Sequence, residues 1–365
     1  MTLPYLGSIL PIEVLMKSLE LKYLNSLTFG QQAMSSIIKI GEYKGMQELF
    51  YMQSPEALKF LVENAKIEST ESSNRIEGIT APHNRIEKII LAGSAPRTRS
   101  EQEIAGYRDG LNLIHEVGKN MPFSINVILQ LHNMLYRYMG MEGGRWKNGD
   151  NEITEKRPDG TVRVRFKPVS AFDTSRYMDG LVENYKNAIE REHREPLVVI
   201  PLAIFDFLAI HPFTDGNGRT GRLLTLLLMY HFGFEVGRYI SLERIVEESK
   251  ETYYDALEKS SAGWHEGKHN IHPWLEYFWG IVIRAYKEFE DRVGVVTDEK
   301  SSKTDLIRSS VSKKTEPFSI SDIEKECLSA GRDMIRLVLR QMRDEGTIKS
   351  TGKGRSAKWI RIKEK

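Results

Sequence analysis

One cysteine in 365 residues, Cys327, excludes an internal disulfide and a cysteine-rich zinc cluster. Long hydrophobic runs are missing too. No stretch of about 18 uninterrupted apolar residues occurs, so no membrane span is expected. The opening Met-Thr-Leu-Pro-Tyr-Leu-Gly lacks the basic stretch of a signal peptide, which makes a cytoplasmic protein the simplest expectation. Neither sign of charge dominates, because 52 Lys+Arg face 50 Asp+Glu for a net charge of +2. No Gly-Lys-Ser or Gly-Lys-Thr follows a glycine loop, so a Walker A phosphate site is excluded. His265, His269 and His272 lie in a Gly-rich, Trp-containing region without a carboxylate pattern and read as ordinary loop residues rather than metal ligands. What is present is a 40% apolar content, enough for a sizeable core, on a chain longer than one average domain.

The most informative segment is His211-Pro212-Phe213-Thr214-Asp215-Gly216-Asn217-Gly218-Arg219-Thr220-Gly221-Arg222. It puts a titratable base, a carboxylate, three glycines and two arginines between two apolar stretches. Glycines let backbone N–H groups approach an anion, and the apolar run from Leu223 to Met229 reads as a buried helix whose N-terminus faces that anion. Arg219 and Arg222, three apart, share a helix face and can reach one polyphosphate. Asp215 can hold a divalent cation, and His211 can take a proton near neutral pH. Gly216-x-Gly218-x-x-Gly221 formally matches a dinucleotide fingerprint. However, the apolar run from Leu197 to Ile210 is too long for a typical strand, and His-Pro-Phe-Thr-Asp intervenes where a tight turn is needed.

This segment resembles the signature of the Fic family, His-x-Phe-x-Asp/Glu-Gly-Asn-Gly-Arg-x-x-Arg, at every defined position. The resemblance implies a protein adenylyltransferase that moves AMP from ATP to a Ser, Thr or Tyr hydroxyl. By the same resemblance, His211 is the base and Asp215 holds Mg²⁺. Gly216, Asn217 and Gly218 form an anion hole, with Gly221 counted in the nucleotide-binding stretch. Arg219 holds the β- and γ-phosphates and Arg222 the γ-phosphate. A second segment, Ser73-Asn74-Arg75-Ile76-Glu77-Gly78, ends a helix expected from Pro55 onward and resembles the family's inhibitory motif. Ser73 and Glu77 are then an internal brake, with Glu77 pairing with Arg222. Glu251-Thr252-Tyr253-Tyr254-Asp255-Ala256-Leu257 resembles the helix that walls the family's adenine pocket, so Tyr253 and Tyr254 are candidate adenine contacts, although aromatics at helical spacing are also ordinary core.

Helical periodicity recurs in residues 104–117, 125–139, 177–189, 201–210 and 223–232, so the fold class is mainly α. Two alternating runs around Pro158-Asp159-Gly160, residues 151–167, predict a β-hairpin. The resemblance makes this hairpin the flap that aligns a target segment by strand addition. Arg157, Arg163 and Arg165 on it suggest a target with acidic neighbours. The expected organisation is an N-terminal helical region over 1–95 carrying the inhibitory helix, a Fic-type helical core over 96–293, a linker over 294–303 and a small domain over 304–365.

That last domain is basic. Residues 301–365 hold 16 Lys+Arg and 9 Asp+Glu, net +7, leaving −5 for residues 1–300. Its pattern of short helix, longer helix, strand, basic turn and strand resembles a winged helix-turn-helix. Arg332, Arg336, Arg340 and Arg343 form a stripe, and Lys353 and Arg355 lie in the wing. Partners follow from these readings: a target-protein hydroxyl, the chain itself through self-modification, DNA or protein at the C-terminal domain, a homodimer, and no membrane. Removal of AMP or another nucleotidyl or phosphoryl transfer on the same fold remains an alternative, as does a DNA-binding regulator with a residual nucleotide site.

Overall fold

A computed structural model describes residues 17–297 except 54, 141 and 157–159, and residues 303–362 except 313, 315, 328–330 and 352–357. In chain order the helices begin with α1 (Leu21–Ser26), α2 (Gln31–Gln53), α3 (Pro55–Ile76), α4 (His83–Ala92), α5 (Arg99–Val117) and α6 (Ile125–Tyr136). A hairpin of β1 (Ile153–Lys156) and β2 (Val162–Phe166) follows, then α7 (Thr174–Lys186), α8 (Pro196–Ile210) and α9 (Asn217–His231). After these come α10 (Leu242–Glu248), α11 (Lys250–Ser261), α12 (His272–Thr297), α13 (Lys303–Ser312), α14 (Ile320–Glu326), α15 (Arg332–Asp344), β3 (Ile348–Thr351) and β4 (Lys358–Arg361). The chain divides into two compact units, one built from the residues up to Gln47 and from Leu61–Lys287, the other from Glu48–Phe60 and Glu288–Lys365.

The first unit is built around α8 and α9. Helix α8 is apolar on every side, so it can only be a central helix, and nearly all of it is buried. Pro196 stands at its first turn, where a missing N–H costs nothing, and the Glu195 side chain accepts from Leu197 N–H. Pro201, inside the helix, is different, because its missing N–H leaves the Leu197 carbonyl without its i+4 donor. The Trp279 indole N–H, from α12, donates to that carbonyl at 2.8 Å. Trp274 Nε1 donates to the Pro201 carbonyl, also at 2.8 Å. The two tryptophans therefore pack as core and also complete the hydrogen bonding of the central helix. Helix α9 packs on α8, α5 and α6, and its residues Leu223, Leu224 and Leu226 to Tyr230 are buried.

The hairpin is antiparallel, with Thr154 opposite Val164 and Lys156 opposite Val162; the Pro158-Asp159 turn and Arg157 lie outside the described residues. His269 is not an ordinary loop residue. It is buried, stacks on Tyr23 at 4.3 Å, and its Nε2 lies 2.9 Å from Ser18 Oγ. Ser18 and the Trp264 indole both donate to the buried Asp206 of α8, which accounts for the burial of this corner.

In the second unit α13, α14 and α15 pack on one another, α15 packs on β3 of the antiparallel pair β3–β4, and Phe318, between α13 and α14, bridges Trp359 of β4 as a third strand position. Ile307, Val311, Phe318, Ile335, Leu339 and Trp359 share its core. Ser319 and Asp322 form a capping box that starts α14. The expected linker over 294–303 begins too early, since α12 runs on to Thr297 and α13 starts at Lys303. Gly294 costs a helix about 1 kcal/mol, which a long continuing hydrogen-bond ladder absorbs. Within residues 1–95, α2 and α3 each contribute residues to both units.

Candidate functional site

His211 caps the C-terminus of α8 in the left-handed region, φ 50° and ψ 61°, unusual for a residue with a side chain. Its Nδ1 donates to the Leu208 carbonyl at 3.2 Å, which leaves Nε2 with the free lone pair. Burial pushes its pKa down to about 4, so at neutral pH the ring is neutral, with a nitrogen lone pair open to a proton. The following turn ends at Gly216, whose φ of 80° favours glycine, and α9 begins at the next residue.

Asp215 is exposed, and its carboxylate is held from three sides. The Tyr136 hydroxyl donates to Oδ2 at 2.9 Å, Gly216 N–H donates to Oδ1 at 2.7 Å, and Arg219 stands 3.4 Å from Oδ2. Burial opposes its charge, but Arg219, Tyr136 and the Gly216 amide outweigh that, so the carboxyl titrates below its ordinary range. His132 supports the same turn. Its Nδ1 accepts from Gly144 N–H at 2.8 Å, its Nε2 donates to the Asp215 carbonyl at 3.0 Å, and its ring stacks on Phe213 at 3.6 Å.

Three of the expected nucleotide-binding residues have partners within the protein. Arg219 is engaged within the protein. It is 1% exposed, pairs with Glu103 of α5 at 2.8 Å, and turns its other end to Asp215. A guanidinium so enclosed braces the carboxylate from behind. Asn217 uses its side chain on Phe213, accepting from the Phe213 N–H at 2.9 Å and donating to its carbonyl at 2.7 Å, so the side chain shapes the turn. Gly221 sits where α9 touches Phe207 and Leu208 of α8, and belongs to helix packing.

Arg222 faces the end of α3. Its NH2 is 2.7 Å from Glu77 Oε1 and donates to the Ser73 carbonyl at 2.9 Å, while Nε donates to Ser73 Oγ at 2.8 Å. Burial works against the Arg222 charge, yet Glu77 beside it more than restores it, with Tyr253 and Tyr107 adding to the effect, so its pKa rises above the ordinary guanidinium value. The Glu77 carboxylate also covers the first turn of α9, where a Cβ on Gly218 would collide with its Oε1. The end of α3 is fastened to α10 and α11 by Arg75 to Glu247 at 2.9 Å, Lys250 Nζ to the Ile76 carbonyl at 2.8 Å, and Arg244 to Glu68 at 3.1 Å.

Glu77, His211, Gly218, Arg222, Tyr253 and Tyr254 all line one cleft of about 1150 Å³, which the hairpin also borders through Thr154 and Arg165. Tyr253 is mostly buried against Trp274 and Tyr277, whereas Tyr254 is half-buried with Arg165 over its ring at 5.5 Å. Arg163 and Arg165 are not free for an acidic target, because Arg163 pairs with Glu258 and Arg165 with Glu155 and Glu258. Sequence reasoning missed Glu103, His132, Tyr136 and Lys147. A signal existed for the first three. Glu103 is a charge among residues buried on one face of α5, and His132 and Tyr136 are four apart on α6.

A neutral histidine, a helix N-terminus and an arginine in one helical-core cleft make a site that suits an anion beside a proton acceptor. Residues 122–229 match the Fic/DOC family, so this segment of the chain carries a Fic domain. It is 23% identical over 228 residues to the "Protein adenylyltransferase Fic" of Nematostella vectensis, covering 60% of this chain and 48% of that one. It is 24% identical over 292 residues to "Protein adenylyltransferase fic-1" of Caenorhabditis elegans, covering 77% of this chain and 51% of that one. The chain thus spans about half the length of these relatives. A crystal structure of a Fic family protein from Desulfovibrio desulfuricans G20 has the same fold, with a TM-score of 0.57 and 19% identity, covering 93% of this chain and 98% of that one.

Proposed function

We propose that this chain is a protein adenylyltransferase that moves AMP from ATP to a protein hydroxyl and is restrained by its own Glu77. The observation that carries the reading is the bond from Arg222 to Glu77 at 2.7 Å in the cleft that holds His211. In the reaction the hydroxyl oxygen bonds to the α-phosphorus, the bond to the β-phosphate oxygen breaks, pyrophosphate leaves, and the hydroxyl proton goes to His211 Nε2. The α9 N-terminus and Gly218 receive phosphate oxygens, Arg222 the terminal phosphate, and Tyr254 and the edge of Tyr253 the adenine. Asp215 fits Mg²⁺, being ionised, exposed and the single carboxylate of its turn, since Mg²⁺ takes one or two carboxylates and completes its shell with water and phosphate. The ion neutralises phosphate charge when bound. Among the described residues no cluster of three His, Cys, Asp or Glu competes as a metal site.

Glu77 and the terminal phosphate compete for one guanidinium. Hydrogen bonds to charged groups contribute roughly 1.5–3 kcal/mol, so Glu77→Gly should raise transfer on the order of ten- to a hundredfold. Mass spectrometry of the Glu77→Gly protein after incubation with ATP and Mg²⁺ tests this, with the chain itself as first acceptor. A mass gain of one AMP, lost when His211→Ala is added, supports the reading, and equal labelling with Glu77 intact removes the brake. We further propose a cytoplasmic location. For the C-terminal unit, the helix, bridge, helix, helix, strand, strand order supports a winged helix, and its charge of +7 favours a duplex DNA partner.

A further inference from the structure

We propose that Lys147 and Asn151, in the loop before β1, are positioning residues that hold His211 in its left-handed conformation. This rests on His211 being the base of the proposed reaction. A left-handed backbone costs a residue with a side chain roughly 1–2 kcal/mol, so neighbouring bonds must hold it. They come from this loop. Lys147 Nζ donates to the Ile210 carbonyl at 3.3 Å, Lys147 N–H to the Pro212 carbonyl at 2.8 Å, and Asn151 Nδ2 to the Phe213 carbonyl at 3.1 Å. The carbonyls on both sides of His211 are thereby held. Lys147 Nζ also donates to Asn151 Oδ1 at 2.8 Å, which joins the two side chains into one clamp.

Lys147 is only 4% exposed, an expensive location for an ammonium group. Burial pushes its pKa down to about 8, so it is still mainly protonated at neutral pH. Its charge lies against the last carbonyls of α8, the negative end of a long helix, which offsets part of the burial cost. A neutral apolar residue of similar size would fill the space without this cost, but it could not hold the Ile210 carbonyl. Asn217, on the other side, binds the Phe213 backbone through both ends of its amide. The base loop is therefore clamped from two directions.

The test uses the full chain carrying Glu77→Gly, with and without Lys147→Met. A misplaced base costs on the order of ten- to a hundredfold in kcat. ATP affinity and binding stoichiometry should stay at the parent values, because a general folding defect would lower the stoichiometry in step with the rate. Lys147→Arg, which keeps the charge and donors, should retain more activity than Lys147→Met. An activity-independent readout is the His211 ring resonance in ¹³C-histidine protein, assigned by its loss in His211→Ala; it should shift in Lys147→Met. Unchanged kcat together with an unchanged resonance would overturn the clamp. If Lys147→Met does not fold, Asn151→Ala is the second variant and should show the same pattern more weakly, with the same overturning result. If the Glu77→Gly parent transfers no AMP, the adenylyltransferase reading fails, and the resonance still decides whether Lys147 positions His211.

Discussion

At the scale of single residues, the site depends on groups kept in one protonation state. His211 titrates near pH 4, well below its ordinary value, because burial disfavours the imidazolium. A base must be neutral to work. The rate profile should therefore stay flat as pH falls through 6.5, with loss from this group only toward pH 4; an inflection at the ordinary histidine value would contradict it. His211→Ala should lower transfer about 10²–10⁴-fold while ATP binding, followed by calorimetry, persists. Gly216 shows a different constraint. At φ 80°, with the Tyr136 hydroxyl 3.1 Å from where a Cβ would stand, Gly216→Ala should destabilise the fold by roughly 1–2 kcal/mol, read as a lower urea midpoint at unchanged slope.

At the scale of elements, helices are held by contacts that single-helix patterns do not contain. The Leu197 carbonyl of α8 is satisfied by the Trp279 indole because Pro201 cannot do it. Trp279→Phe keeps most of the packing but leaves that carbonyl buried and unpaired, so a loss of about 1–3 kcal/mol is expected in denaturant unfolding. Helix α3 leads into Glu77, the proposed brake, and its last turn is fastened by Lys250 to the Ile76 carbonyl and by Glu247 to Arg75. Lys250→Met should therefore raise self-labelling above the unmodified chain but below Glu77→Gly, since it loosens the helix and leaves the carboxylate in place. Labelling at or below the unmodified level would mean the fastening does not support inhibition. The periodicity of α3 and its start at Pro55 were legible in the sequence. Its docking to α10 and α11 was not, because these partners lie more than 170 residues away.

At the scale of the whole molecule, burial sets the response to acid. His115, His132, His211 and His269 all have lowered pKa values, about 3 for the first and about 4 for the others, with burial as the main cause. Between pH 6.5 and about 4 the unfolded chain takes up protons that the folded chain refuses, so stability falls as pH falls through 6.5. Asp206 acts in the opposite direction, since burial raises its pKa to about 6 and the fold binds a proton there more readily than the unfolded chain. Four groups outweigh one. The thermal midpoint should drop between pH 7 and pH 5, and a flat midpoint over that range would refute the balance. Charge also divides the molecule, with net +7 in residues 301–365. In that region Arg332 pairs with Glu324, Arg336 with Asp333 and Arg343 with Asp344, so the arginine stripe is less positive than its sequence suggests. Duplex binding that weakens steeply with salt would support phosphate contacts, and no binding at low salt would leave protein contact as the reading.

The sequence by itself determined which residues could do chemistry. The run from His211 to Arg222 reads as a glycine turn opening a helix from local backbone geometry and residue type alone, and it supplies the proposed base and arginine; Ser73 and Glu77 entered as the proposed brake by resemblance. The tertiary structure decided which of these residues face the cleft. Arg219 and Arg222 share a helix face in sequence, but Glu103 draws the first into the core and Glu77 holds the second at the cleft. The physical reason is that a buried charge settles on whichever partner can satisfy it. Those partners come from other helices, 116 and 145 residues away along the chain. Helical period determines which way a side chain points, but the group that meets it there is set by packing between helices.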